Sequence, residues 1–225
     1  MCGGGVAAIL NAMFARPRGW AGSVGGRLMA LRGGDTNRWA IDLLKLQQLD
    51  HLIEVGCGSG LALEAASDRL IAGRAVGIDP SRVMVDQAAR RNRAAIAEGH
   101  IEVRQAFAEA LPFADHAFTC ALSVDSIRSW RSAEAGLWEL QRVLEPGGRL
   151  VIVVRARQKK RNPLNPSREG YTRAMVESLE TTLVSIGFRF IRREVRRKGA
   201  TMIAFVVEAA REHELPYAHG DFVPA

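Results

Sequence analysis

Strand-like and helix-like segments alternate along most of the chain, and this order restricts the possible folds more than any other feature. Short apolar runs such as HLIEV (51–55) and RLVIVV (149–154) have the length and composition of buried strands. The segment 132–144, which precedes the second of these runs, instead carries leucines at helical spacing. Such alternation is typical of a parallel sheet with helices on both faces.

The complete pattern predicts seven strands. The expected strands are 51–55, 74–79, 101–106, 117–123, 149–154, 188–195 and 201–209. The expected helices begin at Asp35 or Thr36, cover 61–70, run from near Ser81 to before Gly99, and cover 132–144 and 169–186. Only a short loop around Gly199 separates the last two strands, so they must be antiparallel. The predicted fold is therefore a Rossmann-like α/β three-layer sandwich with six parallel strands and an antiparallel last strand.

The bulk properties fit one soluble domain with flexible ends. The 225 residues include 48% hydrophobic and 24% charged residues, and no apolar run is long enough to cross a bilayer. Residues 1–34 are rich in glycine with short apolar patches, which predicts a flexible cap. We expect the domain itself over 35–210 and a short tail over 211–225. The oligomeric state is left open.

The cysteines and the charges add two further expectations. Cys2, Cys57 and Cys120 are odd in number and lack metal-ligand spacing, which favours a reducing cytoplasm and no metal site. The net charge is +7, and basic residues concentrate in 155–161 and 189–198. A surface for nucleic acid or anionic lipid is one interpretation. We favour the other, a solvated surface, because charge runs are usually solvated.

A glycine-rich turn, within LIEVGCGSG (52–60), follows the first predicted strand. Glycines at this position let the chain turn sharply and let a ligand lie against the backbone, beyond the carboxyl end of a parallel strand. The dinucleotide fingerprint fails because Leu61 occupies its third small position, and the G-K-[ST] ending of a phosphate loop is missing. Glu54, two residues before the first glycine, would repel a pyrophosphate and would suit a cationic ligand.

Four segments together resemble the class I S-adenosylmethionine-dependent methyltransferases, of the small-molecule and lipid type represented by methyltransferase domain 11. They are LIEVGCGSG (52–60), AVGIDPS (75–81), AFAEALPF (106–113) and ELQRVLEPGGRLVI (139–152), in the family's order. The resemblance extends over about residues 36–208. It implies S-adenosylmethionine as the cofactor, with S-adenosylhomocysteine as the product.

The resemblance also implies the residues that bind the cofactor. They are Glu54, Gly56, Cys57, Gly58, Gly60, Asp79, Pro80, Phe107, Ala108 and Ser123. The backbone of the glycine turn would hold the methionine part, Glu54 would face its amino group, and Asp79 would accept hydrogen bonds from both ribose hydroxyls. Phe107 and Ala108 would border the adenine. The strand end at Ser123 would line the site beside the reactive methyl group.

Two positions depart from the family pattern. Phe107 stands where an aspartate usually contacts the adenine amino group, so this side chain either packs on the adenine face or belongs to the core. Phe118 and Thr119 stand where the family often has Phe-Asp, which says little about binding.

No catalytic base is predicted. Methyl transfer from a sulfonium is an in-line displacement, for which proximity and alignment supply most of the acceleration. His51, His100 and His116 are expected at the sheet edge away from the cofactor, and His213 and His219 lie in the tail. Asp125, Ser126 and Trp130 follow the fourth strand and are candidates for substrate contact, with a structured loop as the alternative.

The sequence therefore predicts methyl transfer to a small, apolar or aromatic acceptor. The place after the fourth strand reads SVDSIRSW (123–130) and lacks the [ND]-P-P-[FYW] motif of enzymes that methylate exocyclic base amines, so nucleic acid is an unlikely substrate. Two alternatives stay open. One is an RNA or protein methyltransferase that uses the basic surface, and the other is a family member that binds the cofactor without turnover.

Overall fold

The computed structural model describes residues 34–157, 170–198 and 200–210. The predicted cap up to residue 33 and the predicted tail 211–225 lie outside the described residues. So do Cys2, His213, His219 and the basic residues Lys159, Lys160 and Arg161.

Seven strands and six α-helices are present in the described part of the chain. The strands are β1 His51–Val55, β2 Arg74–Asp79, β3 Ile101–Gln105, β4 Phe118–Val124, β5 Leu144–Arg155, β6 Phe188–Lys198 and β7 Ala200–Ala209. The helices are α1 34–44, α2 Leu61–Ser67, α3 Arg82–Arg91, α4 Arg93–Ala97, α5 Ala133–Val143 and α6 Arg173–Ser185, with a 3₁₀ turn at Ile127–Ser129. Of the described helices, none has both the length and the apolar character that a membrane span requires.

All strands belong to one sheet, in the order β3-β2-β1-β4-β5-β7-β6. β7 runs antiparallel to both of its neighbours, and the other pairs are parallel. The predicted fold and the single antiparallel strand are thereby confirmed. The chain order reverses between β1 and β4, which makes the carboxyl ends of these two strands the topological switch point.

Helices cover both faces of the sheet and produce two separate cores. α1, α2 and α3 bury Ile41, Leu63 and Ala88 against one face. α5 and α6 bury Leu137 and Leu183 against the other. This arrangement is the predicted three-layer sandwich.

Several predicted elements have different limits in the structure, and for two of them the contacts show the reason. The helix expected from Ser81 to Gly99 is interrupted at Asn92, whose buried side-chain amide donates to the carbonyls of Gly60 (3.1 Å) and Ala88 (2.9 Å). The bond to Gly60 is a tertiary contact at the point where the helix is interrupted. The helical spacing of the sequence does not reveal such a contact. β5 begins at Leu144 instead of Arg149, because the intervening residues pass through a bulge opposite β4.

β6 lies at an edge of the sheet and is largely exposed, as the absence of a clean apolar stripe predicts. Three of its arginines form ion pairs. Arg189 pairs with Glu208 of β7, Arg192 with Glu194, and Arg193 with Glu180 of α6. Charged side chains on an edge strand also discourage pairing with another chain.

One guanidinium holds α1 against the sheet. Nη1 of Arg149 donates to the carbonyls of Leu44 (3.1 Å) and Lys45 (2.7 Å) at the carboxyl end of α1. Its Nη2 forms an ion pair with the buried carboxylate of Asp50, which also accepts from the hydroxyl of Thr119 at 2.8 Å. Arg149 thus satisfies helix-end carbonyls and a buried charge at once.

We predict that Arg149→Met lowers the free energy of unfolding by about 2–4 kcal/mol, because it leaves Asp50 without its cation and the end of α1 without its donor. Urea denaturation measures the loss. The control is Arg173→Met, which removes an exposed pair with Glu177 and is expected to cost at most about 0.5 kcal/mol. Equal losses for the two variants would contradict the role given to Arg149.

Candidate active site

The glycine turn is fixed to the end of β2 by its own backbone. The N–H groups of Gly56 and Cys57 both donate to the carbonyl of Ile78, at 2.7 Å and 3.0 Å. The N–H of Gly60 donates to the carbonyl of Cys57 at 2.9 Å. The turn between β1 and α2 is therefore a closed structure, seated at the switch point.

The three glycines of the turn all have positive φ, but their surroundings differ. A Cβ on Gly56 would lie 2.3 Å from the Cβ of Ser126, and one on Gly60 would lie 2.9 Å from that of Ala88. A Cβ on Gly58 would meet nothing within 4 Å. Gly56 and Gly60 are therefore required for packing, whereas Gly58 borders open space where a ligand can approach the backbone.

Asp79 ends β2 and reaches across to the glycine turn. Its Oδ2 accepts from the N–H of Gly58 at 3.0 Å, and its Oδ1 accepts from the N–H of Ser81 at 2.8 Å. Burial raises the pKa of this carboxyl group, and the two backbone hydrogen bonds oppose that rise. Each carboxylate oxygen has a second lone pair, so Asp79 keeps the capacity to accept from a ligand.

Glu54 is the least satisfied polar side chain of the site. It is 2% exposed, and its Oε2 has no hydrogen-bond partner among the described residues. Burial, followed by the charge of Asp79, holds its pKa well above the usual range, while a hydrogen bond from the N–H of Leu63 acts in the opposite direction. A buried carboxylate oxygen without a partner is costly, and a cationic ligand would remove that cost.

Neither described cysteine is suited to act as a nucleophile. Cys57 is buried in the turn, where desolvation and the charges of Glu54 and Asp79 keep its thiol pKa well above the usual value. Cys120 lies in the core, and burial raises its pKa to about 12. Both thiols are free and buried.

The segment that follows β3 carries Phe107 at the surface. Its side chain is 42% exposed, and the guanidinium carbon of Arg131 lies 3.7 Å from the ring centroid, a cation–π contact. The alternative that Phe107 belongs to the core is therefore wrong. Ala108 beside it is buried.

Pro80 and Ser123 occupy different environments. Pro80 is exposed, and its carbonyl accepts from the side-chain amide of Gln105 at 3.0 Å. Ser123 is fully buried in β4, and its hydroxyl bonds to the hydroxyl of Ser126 at 2.8 Å. The structure thus brings Glu54, the glycine turn and Asp79 together. The cofactor contacts predicted for Pro80 and Ser123 stay predictions.

The residues after β4 form an ordered turn. Ser126 donates to the carbonyl of Val55 at 2.8 Å, which ties this turn to the end of β1. Asp125 accepts from the guanidinium of Arg155 at 2.7 Å and 3.0 Å. Trp130 packs on Gly136 of α5, where a Cβ would come within 2.5 Å of the indole ring. Substrate contact by Asp125 and Trp130 stays a prediction.

The three described histidines lie where the sequence places them. His51 begins β1, His100 precedes β3, and His116 precedes β4, all at the amino edge of the sheet. The ring of His116 bonds to the carbonyl of Leu144 at 2.9 Å.

Sequence reasoning missed the residues that support the β3–β4 segment. Arg142 donates to the carbonyls of Leu111 and Phe113, and Glu139 accepts from the N–H of Leu111 at 2.7 Å. Glu109 accepts from the N–H groups of Arg131 and Ser132. These charged residues lie in the segments ELQRVLEPGGRLVI and AFAEALPF, which carry the family resemblance. Residue spacing does not show which backbone groups their side chains bind.

Comparisons with known proteins agree with this geometry. Residues 53–152 match the family model described as a methyltransferase domain. A ubiquinone/menaquinone biosynthesis C-methyltransferase, UbiE of Geotalea daltonii, is 34% identical over 117 residues, which are 52% of this chain and 50% of that protein. Residues 53–152 thus carry a methyltransferase domain that is similar to the class I S-adenosylmethionine-dependent methyltransferases. The chain spans between 50% and 75% of the length of three curated relatives that it matches.

Solved structures share the fold of this methyltransferase domain at low identity. A methyltransferase from Aquifex aeolicus superposes with a TM-score of 0.65 at 19% identity, covering 77% of this chain and 89% of that one. The [4+2]-cyclase SpnF gives a TM-score of 0.66 at 18% identity, covering 92% and 93%. Because a protein described as a cyclase has the same fold, the reaction must be argued from the site.

The described residues of the methyltransferase domain fit S-adenosylmethionine. The ligand carries an ammonium and a sulfonium, and the site offers it a buried carboxylate oxygen without a partner at Glu54. Open space at Gly58 lets an extended ligand lie on the backbone. Asp79, at the end of the next strand, presents acceptor oxygens to a diol.

Substitutions at the glycine turn separate a binding role from a packing role. We predict that Gly58→Ala weakens S-adenosylmethionine binding by at least about tenfold, because the methyl group fills the space against the turn, while positive φ costs about 1 kcal/mol of stability. Gly60→Ala meets Ala88 and Asn92 and should lose more stability than Gly58→Ala. Titration calorimetry and thermal unfolding measure both. Unchanged affinity in Gly58→Ala would remove the glycine turn from the binding site.

Glu54→Gln should have opposite effects on stability and on binding. Because the folded-state pKa of Glu54 lies above its unfolded value, its contribution to stability is full below the unfolded pKa and is lost as the pH rises through the folded pKa. The neutral amide should therefore stabilise the ligand-free protein at pH 8, and it should weaken cofactor binding by at least about tenfold. The exposed Glu64→Gln is the control. A variant that binds normally would contradict the assignment.

Proposed function

We propose that this protein transfers a methyl group from S-adenosylmethionine to a small apolar or aromatic acceptor. The observation that carries the proposal is the buried carboxylate of Glu54, whose Oε2 lacks a partner next to the glycine turn. An ammonium or sulfonium ligand provides the positive charge that favours the ionised form of this buried acid. The proposal therefore follows from the site, as well as from the similarity to the family.

Each part of the cofactor has residues that would hold it. Asp79 accepts from the ribose hydroxyls while its bonds to Gly58 and Ser81 keep the carboxylate oriented. Glu54 faces the methionine ammonium across the turn. Phe107 and Ala108 border the adenine, and the ring of Phe107, although it contacts the guanidinium of Arg131, is partly exposed.

The chain contributes orientation more than acid–base chemistry. When bound, S-adenosylmethionine would supply an activated methyl group, which an acceptor takes by in-line displacement of the thioether. The hydrogen bonds between the turn and Ile78, and between Ser126 and Val55, fix the walls on both sides of the switch point. Rigid walls of this kind hold the two reactants in line.

Two observations support a small acceptor over nucleic acid. The relative from Geotalea daltonii is named a ubiquinone/menaquinone biosynthesis C-methyltransferase, which favours an acceptor of the small aromatic class. The arginines Arg189, Arg192 and Arg193 of β6 are engaged with glutamates, so their charge is partly neutralised. Phosphate contacts by these arginines would first have to break those pairs.

The role of residues 1–34 as a cap rests on where the chain enters the domain. Asp35 at the start of α1 pairs with Lys198 at the carboxyl end of β6, and the guanidinium of Arg196 lies 5.8 Å from the ring centroid of Trp39. The preceding segment therefore joins the domain on the side of the sheet where the carboxyl ends of the parallel strands, and with them the site, lie. We infer that it closes over the acceptor.

The test is transfer of a labelled methyl group to a metabolite extract. We expect label in the small-molecule fraction, and we expect Asp79→Ala to lose at least about tenfold in cofactor affinity because two charge-assisted hydrogen bonds to ribose disappear. The control is Asp86→Ala, a partly exposed acid that pairs with Arg82 on α3.

Three other outcomes would redirect the proposal. Cofactor binding without any transfer would favour the non-enzymatic alternative. Transfer to RNA or to protein would favour the alternative that uses the basic surface. Normal affinity in Asp79→Ala would contradict the ribose assignment.

A further inference from the structure

The carboxyl ends of β4 and β5 lie across the switch point from the glycine turn. Glu54, the turn and Asp79 occupy the half of the crevice at β1 and β2. The other half is therefore the place from which an acceptor approaches the cofactor. The 3₁₀ turn Ile127–Ser129 stands there, directly after β4.

The backbone on either side of this turn is firmly held. Asp125 has a φ of +52°, which is uncommon for a residue with a side chain, and its N–H donates to the carbonyl of Val153 at 2.7 Å. Ser126 is bonded to Val55, and Ile127 is buried. A strained residue held by its surroundings is frequent at functional sites, because the strain fixes the geometry of its neighbours.

Arg128 differs from the other arginines near it. Arg155 is paired with Asp125, and the guanidinium of Arg131 covers the ring of Phe107. Arg128 is exposed, and in the described part of the chain it has no hydrogen bond and no ion pair. A fixed turn thus presents an unpaired guanidinium at the acceptor half of the crevice.

Tyr171 adds a second polar group at this place. Its N–H donates to the carbonyl of Arg155 at 2.7 Å, and its side chain is buried, with no hydrogen bond of the hydroxyl among the described residues. The backbone of Tyr171 is bridged to Ala156 at the end of β5, beside Arg155, which engages Asp125. Burial raises the pKa of the phenol. The hydroxyl therefore keeps its proton and can donate it in a hydrogen bond.

We propose that Arg128 binds a carboxylate group of the methyl acceptor and that the Tyr171 hydroxyl donates to the same group, so that the enzyme selects acidic acceptors. This inference rests on the proposed methyl transfer and names its substrate class. An acceptor with an aromatic or aliphatic body and a carboxylate fits both the apolar class proposed above and the unpaired guanidinium of Arg128. Arginine suits this task because its planar donors match a carboxylate in a bidentate geometry.

The bound carboxylate anchors the acceptor and is not consumed. A separate nucleophilic atom of the acceptor gives its lone pair to the methyl carbon. The bond between that carbon and sulfur breaks, and its electron pair stays on sulfur. Arg128 is therefore a specificity-determining residue, whose loss should raise KM more than it lowers kcat.

The first experiment fractionates the acceptors by charge. A metabolite extract is separated by anion exchange into acidic and neutral fractions, and each receives labelled S-adenosylmethionine and the full-length protein. We expect label in the acidic fraction, with kcat/KM at least about tenfold lower in Arg128→Gln, mainly through KM. The control is Arg74→Gln, an exposed arginine at the amino edge of the sheet. Label in neutral acceptors that is unaffected by Arg128→Gln would overturn the inference and leave the methyl transfer standing.

The second experiment measures binding alone, so it decides even if no label is transferred. Benzoate and benzamide, which differ in charge, are titrated into protein saturated with S-adenosylhomocysteine and followed by NMR. We expect benzoate to bind more tightly than benzamide, Arg128→Gln to weaken benzoate by about tenfold, and Tyr171→Phe to weaken it by about threefold. Equal binding of the two probes, no binding of either, or an Arg128→Gln variant that behaves as wild type would overturn the inference.

Discussion

The carbonyl oxygen of Ile78 is the point on which the site depends. It accepts from the N–H groups of both Gly56 and Cys57, and so it joins the chain leaving β1 to the end of β2. Asp79 is the next residue, and its carboxylate is thereby brought to the N–H of Gly58. The same joint closes the turn above Glu54. One forked acceptor therefore sets the conformation of the glycines, the position of the Asp79 carboxylate and the burial of a second acid.

The hydrogen bonds to Ile78 bring two acids into a buried site, which is electrostatically unfavourable without a ligand. Glu54 and Asp79 are both buried, and each carboxyl group has a raised pKa, chiefly because of burial. A fold selected for stability alone would place a neutral side chain at Glu54, where an oxygen lacks a partner. The acid is explained if a cationic ligand favours its ionised form, since burial strengthens the attraction between opposite charges and penalises an isolated one. Stability is given up locally for binding, as is common at functional sites.

Much of the fold could be predicted from local sequence. The alternation of strand and helix patterns determines a parallel sheet, and the short loop at Gly199 determines the antiparallel β7, because both depend on chain geometry. The break at Asn92 and the bulge before Arg149 could not be predicted, since each depends on a partner distant in sequence: the carbonyl of Gly60 in one case and β4 in the other. For the same reason the sequence left Phe107 between packing on the adenine face and belonging to the core. Its ring contacts Arg131, and a pattern of single residues does not reveal that contact.

The two halves of the crevice carry side chains of opposite charge, and this asymmetry would determine which half receives the methyl donor and which the acceptor. Glu54 and Asp79 stand at the ends of β1 and β2, whereas Arg128 and Arg155 stand at the ends of β4 and β5. Asp125 is the acid on the basic side, and its carboxylate is engaged by Arg155. A cationic donor and an anionic acceptor would each be drawn to its own half, with the reacting atoms meeting at the switch point between them. Methyl transfer discharges the sulfonium, so the attraction between the acidic half and the cofactor weakens once the reaction has occurred. The same charges that align the reactants would then favour release of the spent cofactor.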